Sequence, residues 1–389
     1  MNNLVKIFFP IALIQVFLFS CASAPPPVPV TTGATALPEE PPVYSLSFIA
    51  AGDNIIHATM LRASLKDGVY NFLPLYTEVK GIVSQADIAF INQETVMAGA
   101  RLGYSGYPRF NTPSSLAAAL ADTGFTVVNQ ATNHVMDMGE AGITATIDTW
   151  KAIPGISIIG ISLTKEKNPL VITRNNISLG FLSFTYGTNG LGLPKDKPWM
   201  VSLINKDAMA AEIKALRPLC DFLIVSLHWG TEYSHDPTAA QTALAAFLAE
   251  QGVDVVIGHH PHVLERVEYL PRPDGKQMLC FYSLGNFMSN QDRKETVLGA
   301  LAYFVFHKKA DELYISDTGI IPVITHMESG YTNTKVYPLY AYSGELMKKH
   351  RLHGKDKDFS MEFYNTYLAA LNTKIYMYDP FEGKPHDNP

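Results

Sequence analysis

The sequence predicts an α/β layered fold. Short, β-branched, apolar runs alternate with helical stretches over residues 44–290, the pattern of strands and helices in successive layers. Residues that carry chemistry stand directly after several of those runs. Gly52-Asp53-Asn54, Ala131-Thr-Asn-His134, His228-Trp-Gly230 and Gly258-His-His-Pro-His262 are such segments, with Ser283-Leu-Gly-Asn286 beside them. Open α/β sheets place their ligand sites at the carboxyl ends of strands.

The elements follow in order. Tyr44–Ala50 reads as a strand running into Gly52-Asp53. Residues Leu73 to Gln85 read as helical, and Ile88–Ile91 as a buried strand ending at Asn92-Gln-Glu94. Pro113 to Thr123 is a helix with Asn111 or Thr112 as its cap. A strand at Thr126–Asn129 leads to Asn133-His134, and Gly139 to Lys151 is the next helix. Strands follow at Ile156–Ile159, Leu170–Thr173 and Ile177 to Thr185. Helices at Ala208–Leu216 and Ala239–Gln251 alternate with strands at Phe222–Leu227, Val253–Ile257 and Met278–Leu284. Beyond Asn290 the pattern turns β-rich, with antiparallel strands at Val297–His307, Leu313–Ser316, Ile320–Met327 and Thr332–Pro338, then a helix over Phe359–Leu371.

The chain has 389 residues and a formal charge of −6. That length suits one large domain or a domain with an appendage. A balance this modest lacks the basic stripe of a nucleic-acid binder, so no nucleic-acid partner is expected. At the amino end, Lys6 precedes the apolar stretch Ile7–Phe19, which closes on Ser20-Cys21-Ala22. A weakly basic start, a short apolar core and small residues describe a secretory signal, too short for a comfortable membrane span. Leu18-Phe-Ser-Cys21 resembles a bacterial lipoprotein cleavage box, which implies lipidation of Cys21; an ordinary signal peptide cut nearby is the alternative. The Pro-, Thr- and Ala-rich stretch that follows cannot bury a core and reads as an extended tether. The expected divisions are thus a signal peptide at 1–21, a tether at 22–43, a main domain at 44–290 and, at 291–389, strands and a helix packed on that domain. Cys220 and Cys280 are either a disulfide or buried free thiols.

Divalent metals at hydrolytic sites take imidazole nitrogens with carboxylate or amide oxygens. Asp53, Glu94, Asn133, His228, His260 and His262 supply that set. Each has a bland alternative: a turn-forming Asp or Asn, a solvated Glu, a His packed on Trp229. The His-x-His is harder to dismiss, because an extended segment puts both imidazoles on one face. His134, next to Asn133, is placed to protonate a leaving group. Glu232 is either a supporting acid behind the ligands or a solvent-facing one. Asn286 and Ser283 line the pocket or make a turn, and Tyr186, which ends a strand, either contacts substrate or is an ordinary buried Tyr. Tyr104, Tyr107 and Arg109 lie in a Gly-rich loop of the kind that forms a substrate rim, where Arg109 suits a carboxylate or phosphate or makes the more common surface salt bridge.

The ordered set Gly52-Asp53, Asn92-Gln-Glu94, Asn133-His134 with Asp137-Met-Gly139, His228-Trp-Gly-Thr-Glu232, Gly258-His-His-Pro-His262 and Tyr282-Ser-Leu-Gly-Asn-Phe287 resembles the capsule-synthesis protein CapA family, which includes PgsA-like poly-γ-glutamate synthesis proteins. The resemblance covers about residues 45 to 290. It implies a calcineurin-like metallophosphoesterase-type fold, a four-layer sandwich of two central sheets flanked by helices, here with a β-rich C-terminal extension. It implies one or two divalent ions, Mn, Zn, Fe or Mg. Asp53 would ligate one metal, Glu94 would bridge, Asn133, His228 and His260 would ligate the second, His262 would return to the first, and His134 would be the general acid. The phosphoesterase Asp-x-His is Asp53-Asn-Ile55 in this chain, so the first site lacks its expected His, and His57 is out of register for that role. The implied function is synthesis, export or processing of an anionic capsule polymer such as poly-γ-glutamate, by metal-dependent hydrolysis, on a lipid-anchored protein of the cell membrane or outer envelope with capsule synthase subunits as partners. The alternatives are a non-catalytic subunit that binds polymer or synthase, and a metal-dependent phosphoesterase acting on another envelope substrate.

Overall fold

A computed structural model describes residues 41–166 and 169–382. The expected signal peptide, Cys21 and the expected tether up to residue 40 lie outside the described residues. The described residues from Pro42 onward form one compact unit. In chain order its elements are β1 (Val43–Asn54), α1 (Ala58–Ser64), the short pair β2 (Leu65–Lys66) and β3 (Val69–Tyr70), α2 (Lys80–Val83), β4 (Ile88–Gln93), α3 (Ser115–Thr123), β5 (Val127–Asn129), α4 (Gly139–Lys151) and β6 (Ser157–Ile159). Next come β7 (Leu170–Arg174), β8 (Ile177–Thr185), α5 (Lys206–Leu216), β9 (Phe222–His228), α6 (Ala239–Glu250), β10 (Val255–His259), β11 (Val267–Pro271) and β12 (Gln277–Phe281). The chain closes with β13 (Asn286–Met288), β14 (Leu298–Lys309), β15 (Glu312–His326), β16 (Lys335–Pro338), α7 (Gly344–Lys349) and α8 (Met361–Ala369).

Two sheets face each other. One has the order β16-β15-β14-β1-β4-β5-β6, with β13 also paired to β1; the other has the order β11-β12-β10-β9-β8-β7. Successive side chains of a strand point to opposite faces, and the sequence uses both. Leu46, Phe48 and Ala50 of β1 meet Phe222 and Ile224 of β9 and Val255 and Ile257 of β10 between the sheets. Ile49 and Ala51 point outward to Leu116, Ala117 and Leu120 of α3. On the far side Leu223, Val225 and Val256 pack on Ile213 of α5 and on Leu244 and Leu248 of α6. The result is a four-layer α/β sandwich. Strands buried on both faces read as continuous apolar runs, which is why these strands were legible.

The residues after 290 continue the first sheet. β14 pairs antiparallel with β1 from Val43↔Lys309 to Ala51↔Leu301. Met347, Tyr364 and Leu368 from α7 and α8 join the core between the sheets.

Several expectations need correction. Residues 73–85 do not form one helix: a 3-10 turn at Leu73–Leu75 precedes the short α2. The Tyr76 hydroxyl donates to buried Asn54 Oδ1 at 2.8 Å, and this tertiary tie interrupts the helix. Helix α3 begins two residues late, at Ser115, and its N-cap residue Ser114 makes no side-chain cap. Asn111 instead accepts from the Ala98 amide and donates to the carbonyls of Gly99 and Gly103, which folds the preceding loop. The two strands expected at 313–316 and 320–327 are one, β15. It passes Asp317 at φ 51° with a shift of register against β14, as at a bulge. β11 and β13 were not foreseen. Cys220 and Cys280 are free. Among the described residues no helix is long and apolar enough to cross a membrane.

Candidate metal centre

Parallel strands of both sheets end at one edge of the sandwich, and the candidate residues gather there. Asp53 stands next to last in β1 and Glu94 follows β4. Asn133 and His134 lie in the loop after β5. His228 ends β9 and is in register with His259, the last residue of β10. His260 and His262 do not sit in an extended segment, as the spacing suggested. Both have positive φ, 98° and 60°. Left-handed backbone at non-glycine residues is uncommon and gathers at functional sites; here it turns the loop so that the two rings lie 5.8 Å apart.

Glu94 is the centre of the cluster. It is 1% exposed, and neither of its carboxylate oxygens has a hydrogen-bond partner. Its Oε1 lies 3.9 Å from both His228 Nε2 and His262 Nε2. His228 Nε2 is 3.0 Å from Asn133 Oδ1. Ligand atoms of Asp53, Glu94 and His228 lie within 4.8 Å of one another, as do those of Glu232, His260 and His262. The buried His260 Nδ1 also has no partner. Asp53 differs: its Oδ1 accepts from Asn92 Nδ2 at 2.7 Å, and its Oδ2 accepts from the His260 amide at 3.1 Å and faces His262 Nδ1 at 3.0 Å.

The electrostatics divide the two carboxylates. Burial drives Glu94 well above the usual carboxylate range, with Asp53 adding to the effect. Burial also acts to raise Asp53, but the imidazoles of His259 and His262 hold it well below that range. Burial would depress His262, yet Glu94 and Asp53 bring it up to about 9. Burial lowers His228 well below its ordinary value and takes His260 to about 3. Burial thus works against the charged form of both rings.

An unpaired buried carboxylate is costly. Glu94, ringed by imidazole nitrogens and an amide oxygen, fits a divalent cation by its chemistry. The set does not discriminate between Mn, Zn, Fe and Mg.

Beside the cluster, His134 Nδ1 lies 2.8 Å from Asp137 Oδ2. That same oxygen accepts from the Phe110 amide at 2.6 Å, and Phe110 packs edge-on against the His134 ring at 4.7 Å. Tyr107, Arg109, Asn133, His134, Asn189 and Glu232 line a cavity of about 290 Å³. Arg109 donates from Nε to the Asp137 carbonyl at 2.8 Å. Glu232 is exposed and groups with His260 and His262. Half-exposed Tyr186 tilts over His260 at 4.7 Å.

Other candidates are placed elsewhere. Tyr104 packs on Tyr70. Asn286 opens β13 in register with Asp53 and donates to Gln291 Oε1 and the Thr296 carbonyl, and Ser283 donates to the Val263 carbonyl. His57 Nδ1 accepts from the Asn290 amide at 3.2 Å, and Ile55 is buried without a ligand atom. Sequence reasoning gave no role to Asn92, Asn129 or Asp137. The available signal was polar residues closing buried apolar strands: Asn92 is in register with both Asp53 and Asn129.

The profile of a family described as bacterial capsule synthesis protein PGA_cap matches residues 47–291. A capsule biosynthesis protein CapA of Bacillus anthracis is 34% identical over 193 residues, 48% of this chain and 45% of that protein. A PGA biosynthesis protein CapA of Bacillus subtilis is 33% identical over 193 residues, 49% of each chain. The chain thus spans about half the length of these curated relatives. Among solved structures, an NAD nucleotidase of Haemophilus influenzae aligns with TM-score 0.46 and 12% identity over 89% of this chain and 65% of that one. A 5'-nucleotidase precursor from Thermus thermophilus aligns with TM-score 0.45 and 13% identity over 84% and 59%.

Proposed function

The chain belongs to the bacterial capsule synthesis protein PGA_cap family, and from that premise we propose that it acts in the synthesis, export or processing of an anionic capsule polymer such as poly-γ-glutamate, by metal-dependent hydrolysis at the Glu94 cluster. The observation that carries this reading is the buried, partnerless Glu94 carboxylate, 3.9 Å from two imidazole nitrogens. Asp53, Glu94 and His228, whose ligand atoms lie within 4.8 Å of one another, would hold the ion, with Asn133, His260 and His262 as further donors. A bound divalent ion there lowers the pKa of water and polarises a phosphoryl or carbonyl oxygen.

The chain's own residues supply the rest. Asp137 Oδ2 engages His134 Nδ1, which leaves Nε2 as the atom that, once the ring has taken up a proton there, would pass it to the leaving group. Phe110 fixes the plane of that ring. Arg109, on the cavity wall, pairs with a carboxylate or phosphate of the substrate. The proposed location is the cell envelope, with Cys21 as lipid anchor and synthase subunits as partners.

One observation favours a rival reading, a non-catalytic subunit that binds polymer or synthase. Ile55 offers no ligand where a metal site of phosphoesterase type would use a His. Metal analysis of the full chain, followed by phosphodiester and poly-γ-glutamate cleavage assays with each divalent ion, separates the readings. Turnover that His134→Ala removes while the metal stays bound supports hydrolysis. Polymer binding without turnover supports the subunit, and cleavage of phosphodiesters alone points to another envelope substrate. No bound metal and no turnover with any ion sinks the hydrolase.

A further inference from the structure

The ligand atoms at the strand edge fall into two groups. Asp53, Glu94 and His228 form one, all three buried; Glu232, His260 and His262 form the other, and within each group the atoms lie no more than 4.8 Å apart. The first group carries two carboxylates. The imidazoles of the second bind a cation only as neutral rings, so Glu232 is the source of negative charge within it. An exposed acid alone is common on any surface. The buried group beside it is not: His260 is 4% exposed, and its Nδ1 has no hydrogen-bond partner. A buried polar atom left without a partner is costly.

Backbone bonds hold the Glu232 loop against this histidine pair. The Trp229 amide donates to the His259 carbonyl at 3.1 Å, and the Tyr233 amide donates to the Pro261 carbonyl at 2.7 Å. The ties flank Glu232 on one strand of the contact and His260 on the other. Between them the loop turns at Gly230, with φ 93°, where a Cβ would lie 2.8 Å from the Gln241 side chain. The Tyr233 ring stands 6.2 Å from that of His262. A solvent-facing acid needs no such fixing. Glu232 also lines the cavity shared by Arg109, Asn133 and His134, so its group opens on the space that substrate would enter.

Ile55 adds the complementary observation. It is 2% exposed and has no ligand atom, so the end of β1 contributes Asp53 alone. Two divalent ions side by side repel one another, and Asp53 and Glu94 offset only half of their charge; a third carboxylate reduces the imbalance.

We propose that Glu232 is a metal ligand: with His260 and His262 it holds a second divalent ion beside the one at Asp53, Glu94 and His228, and it supplies from the loop after β9 the ligand that Ile55 cannot supply from the end of β1. This inference rests on the metal centre proposed above, keeps every ligand named there and adds one outside the set that the family resemblance implies.

The test titrates the full chain with Mn²⁺. Equilibrium dialysis reads stoichiometry and affinity, and electron paramagnetic resonance reports whether the bound ions are coupled to each other. The unaltered chain is expected to bind a pair of ions with a coupled spectrum. Glu232→Gln alters an exposed side chain and is expected to leave the metal-free thermal midpoint unchanged. It is expected to weaken the second ion more than about 100-fold, beyond the effect of losing an outer partner, while the first ion stays within about tenfold and gives the spectrum of an isolated ion. Coupled ions in Glu232→Gln, a weakening of the second ion below about 100-fold, equal loss of both ions, or an unaltered chain that saturates with a single ion overturns the inference. Failure of the unaltered chain to bind any divalent ion counts instead against the metal centre itself.

Discussion

At the residue scale, the centre is a set of buried groups whose protonation depends on one another. His262 carries a proton up to about pH 9 because Glu94 and Asp53 outweigh its burial. Without an ion, a raised imidazole pKa stabilises the fold below the unfolded value near 6.5, and that contribution disappears as pH rises through about 9. Ion binding needs the neutral ring, so its dependence is opposite in sign. Ion affinity is expected to climb by up to about tenfold per pH unit and to level off near pH 9, measured by calorimetric titration in buffers of different ionisation enthalpy. A decline in affinity from pH 6 to 8 would contradict this. Glu94→Gln is expected to abolish the rise in thermal midpoint that saturating metal produces, about 2.7 kcal/mol at a hundredfold excess over Kd. An equal metal-dependent rise in the variant would show that Glu94 is not a ligand.

At the scale of elements, the site depends on strands approaching closely just before their functional ends. Gly52 precedes Asp53, and a Cβ there would lie 2.1 Å from the Gly285 carbonyl oxygen. Gly258 precedes His259, and its Cβ would lie 1.9 Å from the Tyr282 carbonyl oxygen. Backbone cannot yield as a side-chain tip can. Gly258→Ala is expected to cost about 1–3 kcal/mol or more through overpacking and to lower metal affinity by displacing the His260–His262 loop. Denaturant unfolding and metal titration check both effects, and wild-type stability would refute the close-approach argument. Strand ends were legible because apolar runs stop abruptly at polar residues. The loop conformation was not: the alternate spacing of His260 and His262 suggested an extended face, whereas positive φ at both residues depends on how the chain leaves β10. The broken helix at 73–85 is a similar case, since the tie from Tyr76 to Asn54 spans 22 residues.

At the scale of the whole molecule, the two sheets hold opposite halves of the centre. Asp53, Glu94 and Asn133 come from the first sheet, and His228, His260 and His262 from the second. The apolar layer between the sheets fixes their separation. Phe48 lies in it, 5.0 Å from Phe304 and 6.3 Å from Phe181 across the interface. Phe48→Ala is expected to destabilise the protein by about 3–5 kcal/mol, seen in denaturant unfolding, and to weaken metal binding although Phe48 touches no ligand. Unchanged metal affinity would mean that the two halves are held by the site itself and not by the core.

By itself the sequence determined the α/β class, the order of most strands and the residues that bring metal-binding chemistry to the strand ends. Those follow from local periodicity and residue type, which a linear pattern carries. Only the tertiary structure decided that Glu94 is bare while Asp53 is bound on three sides, that His134 is held by Asp137, and that Asn286 spends its Nδ2 on Gln291 and the Thr296 carbonyl. Two buried carboxylates of the same chemistry look alike in a sequence. What separates them is which donors reach their lone pairs, and those donors come from strands and loops up to 209 residues away.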